Sequence, residues 1–176
     1  MRDTGQRVLG LAGWSGAGKT QLATALVTRL HAKGHKVSTL KHAHHAFDVD
    51  TPGKDSYRHR QAGARQTLVS SAKRWALMTE LRGGAELSLD AALAQFDPCD
   101  LILVEGFKDA DFPKLEVHRP SLGKPLHYGQ RPGICAIACD APLAHSVAVP
   151  LLDLNDLEAL VAWVLKFMQG PVIWSS

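Results

Sequence analysis

The stretch Gly13-Trp14-Ser15-Gly16-Ala17-Gly18-Lys19-Thr20 decides the reading of this chain. It satisfies G-x-x-x-x-G-K-[ST] at every fixed position. It also lies between an apolar run, "RVLGLAG" (7–13), and an amphipathic one. That context separates a phosphate-binding loop from a chance run of glycines. The glycines let the backbone turn tightly, so that its N–H groups point at phosphate oxygens. The N-terminus of the following helix adds a positive field. Lys19 is placed to reach the β- and γ-phosphates, and the Thr20 hydroxyl to hold Mg²⁺. Gln21 follows in the first helical turn, so the nucleotide-binding set runs Gly13, Trp14, Ser15, Gly16, Ala17, Gly18, Lys19, Thr20 and Gln21.

Outward from this loop, apolar and helical patterns alternate. Leu22, Leu26 and Leu30 recur at helical spacing over 18–33, and Gly34 follows as the helix-ending residue. "KVSTLK" (36–41) reads as a second strand. A polar loop from His42 to Lys54 leads to a short helix over 55–64. Residues 66–82 form two apolar stretches around a small polar turn at 70–73, the pattern of a β-hairpin. A helix over 87–96 has Ser88 as its expected N-cap. "DLILVEG" (100–106) is an apolar strand ending in an acid. "KLEVHR" (114–119) is an alternating strand, "GICAIACDAP" (133–142) a buried one and "VAVP" (147–150) a short one. The last helix spans 154–168 with Asn155 as its expected cap. The pattern predicts an α/β, P-loop, three-layer fold with a mainly parallel sheet and a hairpin excursion. Residues 1–176 read as a single domain.

The composition fits a soluble domain: 45% hydrophobic, 21% charged, net charge +3. A net charge this small, with no interleaved aromatics, argues against a nucleic-acid grip. No apolar run reaches the roughly 18 residues a membrane span needs. No secretory signal precedes the first strand, and the odd set Cys99, Cys135 and Cys139 lacks metal or redox spacing. A cytoplasmic protein with reduced, buried thiols is the expectation.

Glu105 ends its strand where ligands gather in such sheets, at the carboxyl end. A single carboxylate suits Mg²⁺, which keeps several waters. Asp100, at the start of the same strand, falls at the wrong end. His42, His44 and His45 sit in the loop after the second strand. Zinc asks for four closed ligands, so either an anionic ligand or partner contacts these imidazoles or they form a plain polar surface. Arg58, His59, Arg60 and Arg65 follow at near-helical spacing, and Lys108 follows the acidic strand. Arg58 and Lys108 join the histidines as the contact set for an anion. The other reading is a solvated charged face.

With these residues in view, the chain resembles the molybdopterin-guanine dinucleotide biosynthesis adapter proteins, often called MobB. "GWSGAGKT" is common to many P-loop proteins. "LKHAHHAFDVDTPGKDSYRHRQAGA" is long and specific, and "LILVEGFK" and "KLEVHR" follow in the right order. The resemblance covers nearly the whole chain. It implies GTP and Mg²⁺ as cofactors and weak GTP hydrolysis. It implies assistance to the guanylyltransferase that joins GMP to molybdopterin, contact with other molybdenum-cofactor synthesis proteins, molybdopterin itself as a possible ligand, and a homodimer. A more distant likeness to P-loop synthetases implies that Lys41 contacts phosphate and that Asp55 joins Thr20 and Glu105 around Mg²⁺. Lys19, Asp55 and Glu105 would then be the catalytic set. Asp55 can equally be a helix N-terminal acid favoured by the dipole.

The N-K-x-D signature that reads guanine in regulatory GTPases is absent, so GTP over ATP is not written in a motif. Asp140, ending "CAIACD", can take guanine N1–H and N2–H₂, or be a loop acid without a ligand. Trp75, Leu77 and Met78 of the hairpin would be poorly covered on an isolated ribbon, so 66–82 is the expected dimer contact; the other reading is that the hairpin folds back onto its own sheet. A stand-alone P-loop kinase or ATP-dependent ligase for a small acid is the rival function.

Overall fold

The computed structural model describes residues 7–43 and 47–170. The chain folds into two compact units. One comprises the residues up to His42 and from Leu89 onward; the other is 43–88.

The larger unit is built on a six-stranded sheet in the order β2-β5-β1-β6-β7-β8. The strands are β1 (Arg7–Ala12), β2 (Val37–Lys41), β5 (Leu101–Glu105), β6 (Lys114–His118), β7 (Ile134–Cys139) and β8 (Leu151–Asp153). All five pairings are parallel. Parallel sheets need cover on both faces, and the residues supply it. On one face, α1 (Lys19–Ala32) and α4 (Leu157–Gln169) bury Leu22, Leu26, Leu30, Leu160 and Val164 against Leu9, Leu11, Leu103 and Leu115. On the other, α3 (Leu89–Leu93) and its flanks pack Leu89, Leu93 and Phe96 on Val8, Ile102 and Val104. The three-layer α/β fold expected from the sequence is the fold observed.

Local signals explain most boundaries. Helix α1 ends in a complete Schellman motif. Gly34 stands at φ 88°, its N–H bonds His31 O at 2.9 Å, and the His35 N–H bonds Leu30 O at 3.1 Å. Three expectations need correction. The cap of α4 is Asp156, which accepts the Ala159 N–H at 2.9 Å. Asn155 instead gives its own N–H to Asp153 Oδ1 at 2.8 Å in the preceding turn. The short strand expected at 147–150 forms at Leu151–Asp153. Strand β6 is buried along its whole length rather than alternately exposed. Two of its polar residues, Glu116 and Lys114, are covered because each has partners. Glu116, fully buried, accepts the His127 N–H at 2.7 Å and the Tyr128 N–H at 2.8 Å. The Lys114 ammonium donates to the carbonyls of Ala110 and Pro132 and lies 4.4 Å from the Phe112 ring centroid. Of the thiols, Cys139 is buried while Cys99 and Cys135 are half-buried; all are free.

The smaller unit contains α2 (Asp55–Gln61) and the antiparallel hairpin β3 (Gln66–Ser70) and β4 (Trp75–Thr79). Its organising residue is Arg60. The guanidinium bonds Asp48 at 2.7 Å, Glu80 at 2.7 Å and Asp50 at 3.2 Å, and its side chain is 10% exposed. Arg60 is therefore not part of an open basic face, as its spacing with Arg58 and His59 suggests. It ties the loop before α2 to Glu80, the residue after β4. The contacts with Asp48 and Glu80 push its pKa above an already high value. They hold Asp48 below the usual carboxylate range, chiefly through the Arg60 hydrogen bond. Burial works against ionised Asp50, but Ser56, the Thr51 N–H and Arg60 outweigh it. Depressed carboxylate pKa values contribute stability above the unfolded values that is lost as pH falls through the folded ones. Amide-exchange protection at Asp50 and Thr51 is thus expected to hold from pH 7 to 5 and to collapse only below about pH 4, the ordinary carboxylate range. Arg60→Ala should remove it at pH 7.

Candidate phosphate-loop site

The loop between β1 and α1 has the backbone a phosphate cradle requires. Gly13, Gly16 and Gly18 stand at φ 136°, 82° and 98°. A Cβ on Gly13 would lie 2.3 Å from Val117 O, so this glycine is fixed by the neighbouring strand as well as by its dihedral. Lys19 Nζ folds over the loop and donates to Gly13 O at 2.8 Å and Trp14 O at 3.0 Å. Burial lowers its pKa, the Glu105 charge opposes that, and the Lys41 charge adds to it. Gln21 turns its Oε1 back to within 3.4 Å of the Gly18 Cβ position.

The sheet register brings the next residues in. Lys41 ends β2 directly opposite Glu105 at the end of β5, and Leu11 faces Glu105 from β1. The Thr20 hydroxyl donates to Glu105 Oε2 at 3.1 Å. A hydroxyl and a carboxylate at this spacing are hard oxygen donors of the kind Mg²⁺ takes, so the residues present fit that ion. Asp100 lies at the opposite sheet end, accepting the Lys36 N–H at 2.7 Å. No group of three or more His, Cys, Asp or Glu side chains able to hold a metal occurs among the described residues.

Beyond Glu105 the chain makes a strained turn. Gly106 stands at φ 104°, with His42 Cβ only 2.5 Å from where its own Cβ would be. Phe107 adopts φ 47° and packs on the His42 ring at 4.6 Å between centroids. A non-glycine residue in this region is uncommon. His42 thus braces the acidic turn. Lys108, one residue on, is exposed. His44 and His45 lie outside the described residues. Asp55 is the first residue of α2 and Arg58 is exposed on it, both in the smaller unit.

On the other side of β1, the segment after β6 wraps the loop. Arg119 Nε donates to Ala17 O at 3.0 Å, and Arg119 Nη1 pairs with Asp140. Trp14 Nε1 donates to Pro125 O at 2.7 Å, and the Trp14 ring stacks on His127 at 4.8 Å. Sequence reasoning selected Asp140 and Trp14 but missed Arg119, His127 and Glu116, which position them. The available signal was Lys114-x-Glu116-x-His118-Arg119. Charged residues in every second place of a strand sandwiched by apolar ones imply buried partners.

Fold and loop together define a P-loop protein of the α/β class. The family model described as "Molybdopterin guanine dinucleotide synthesis protein B" matches residues 8–140. The molybdopterin-guanine dinucleotide biosynthesis adapter protein of Escherichia coli (strain K12) is 46% identical over 92% of this chain and 93% of its own length. That of Haemophilus influenzae is 40% identical over 92% of this chain and 89% of its own. The crystal structure of a MobB protein homolog from Bacillus stearothermophilus superposes with a TM-score of 0.69 at 25% identity. It covers 92% of this chain and 97% of that one. The chain belongs to the molybdopterin guanine dinucleotide synthesis protein B family.

Proposed function

We propose that this protein binds Mg·GTP on the loop at 13–20 and acts as an adapter in making molybdopterin-guanine dinucleotide, assisting the enzyme that transfers guanylyl to molybdopterin. The adapter role is supported by family membership and by the names of the relatives. The observation that carries the nucleotide site is the contact of Thr20 with Glu105 beside Lys19. In this reading the loop N–H groups and Lys19 grip the phosphates. Thr20 and Glu105 hold Mg²⁺, with Asp55 as a further proposed ligand. The ion would neutralise phosphate charge. Lys41 lies against the same cluster and supplies positive charge at the phosphate end. Asp140 reads guanine.

Slow hydrolysis follows from what phosphoryl transfer needs: a positioned water and added positive charge. The sequence carries no motif for a water-orienting glutamine or an arginine finger, so slow turnover is the proposed default. The exposed basic residues Arg58 and Lys108 are the proposed contacts for molybdopterin phosphate or the partner, together with His44 and His45. One face of the hairpin leaves Leu68, Trp75 and Leu77 exposed by 48 to 68%. Burying this face in a homodimer is proposed on that ground. No helix among the described residues is long and apolar enough to cross a membrane; a cytoplasmic location, where free thiols persist, completes the proposal.

Calorimetric titration with GTP and ATP, each with and without Mg²⁺, tests the reading while hydrolysis is followed in the same samples. The expected result is Mg²⁺-dependent preference for GTP with very slow turnover, and retention of the guanylyltransferase on the immobilised protein. Glu105→Gln should bind GTP with little response to Mg²⁺. Preference for ATP, or turnover accelerated sharply by a small acid, would replace this reading with a kinase or ligase.

A further inference from the structure

The sheet order assigns the two ends of the loop different work. Glu105 and Lys41 lie on the β5–β2 side of β1, while β6 and β7 lie on the other. If Mg²⁺ and the terminal phosphate belong with Glu105, the base belongs over the ends of β6 and β7. Two charged residues stand there, Arg119 directly after β6 and Asp140 directly after β7. They form an ion pair in which the side chains are 32% and 20% exposed. The same guanidinium donates through Nε to Ala17 O, inside the phosphate loop. Its Nε and Nη2 also approach the Gly18 Cβ position, to 3.8 and 3.6 Å. Arg119 is therefore clamped between the loop that takes the phosphates and the acid at the end of β7.

We propose that Arg119 is the positioning residue for base selection: anchored on Ala17 O of the phosphate loop, it holds the Asp140 carboxylate in place to receive guanine. This rests on the reading of a GTP site given above. The chemistry is specific. Guanine presents N1–H and N2–H₂ side by side, and a carboxylate accepts both. A carboxylate has two oxygens and about four lone-pair sites, so one contact with Arg119 leaves capacity for two base donors. A guanidinium suits the task because its planar fork serves two acceptors at fixed geometry, which an ammonium cannot. Adenine offers no such donor pair to Asp140 and gains nothing from its placement.

The test compares GTP, ITP and ATP by titration calorimetry on wild type, Arg119→Gln, Arg119→Lys and Asp140→Asn, with a melting curve for each. Inosine lacks the 2-amino group, so the GTP:ITP ratio isolates one donor to the carboxylate. Wild type should favour GTP over ITP by about tenfold or more, as expected for a hydrogen bond to a charged group. Arg119→Gln should reduce that ratio to about threefold or less, and Arg119→Lys should keep an intermediate value. Asp140→Asn should abolish the ratio and gain affinity for xanthosine triphosphate, whose 2-oxo group pairs with an amide. Equal weakening of GTP and ITP by Arg119→Gln, with the ratio intact, would make Arg119 a brace of the phosphate loop alone and overturn the proposal. An unchanged ratio in Asp140→Asn would overturn it through the carboxylate while leaving the phosphate site standing. A wild-type protein that binds ATP as well as GTP would remove the GTP reading itself, and this inference with it.

Discussion

Replacing Lys19 by alanine should lower affinity for any nucleoside triphosphate by about two orders of magnitude, the effect of losing one to two hydrogen bonds from a charged group to phosphate. The fold should survive. Among the described residues, Lys19 Nζ bonds the Gly13 and Trp14 carbonyls of its own loop and ties no other element of the fold. On the proposed site the loss should be the same for GTP and ATP, because a lysine that grips the phosphates takes no part in base recognition. Titration calorimetry beside a melting curve checks both halves of the statement. Unchanged triphosphate affinity would sink the assignment of this loop.

Glu116→Ala carries the largest expected cost in stability. The carboxylate is fully buried and receives two backbone N–H groups, from His127 and Tyr128. At about 1.5–3 kcal/mol for each hydrogen bond to a charged acceptor, the loss is about 3–6 kcal/mol. For a chain of this size that is a fall in Tm of roughly 10 °C. Glu116→Gln retains one acceptor oxygen and should lose about half as much. The effect should reach the phosphate site, because His127 carries the ring on which Trp14 stacks. Thermal unfolding, with hydrogen exchange read at the His127 and Tyr128 amides, is the measurement. A melting point within a degree or two of wild type would show that water replaces the carboxylate.

The phosphate loop was legible because its spacing is a local code: residues 13–20 lie within one turn of chain, and a strand and helix flank them. The place of Glu105 was legible for a related reason, since an acid ending an apolar parallel strand falls at the carboxyl end of the sheet. The partnership of Arg119 with Asp140 was not. Nothing in the order of the chain says that the ends of β6 and β7 meet beside Ala17. The same holds for Arg60, whose neighbours Arg58 and His59 make it look like part of an open basic face. Three carboxylates from Asp48, Asp50 and Glu80 claim it only once the hairpin has folded. At the start of α4, Asn155 and Asp156 are both good caps. The preceding Asp153 took the Asn155 N–H, and the choice between them was made there.

The strand order also bears on how the chain is made. The first two strands to leave the ribosome, β1 and β2, are not neighbours: each pairs with β5, Arg7 and Val37 both lying opposite Leu101. Until Leu101–Glu105 has been synthesised, their edges and the apolar face of α1 have no sheet to join. Residues 43–88 emerge during that wait. Their contacts are local, a hairpin and a short helix tied by Arg60, and local contacts form early. A chain stalled before β5 would therefore hold a folded insert beside two sticky, unpaired strands, the kind of species that aggregates or recruits chaperones. The vulnerable moment in the life of this protein falls before Glu105 has joined the loop at 13–20.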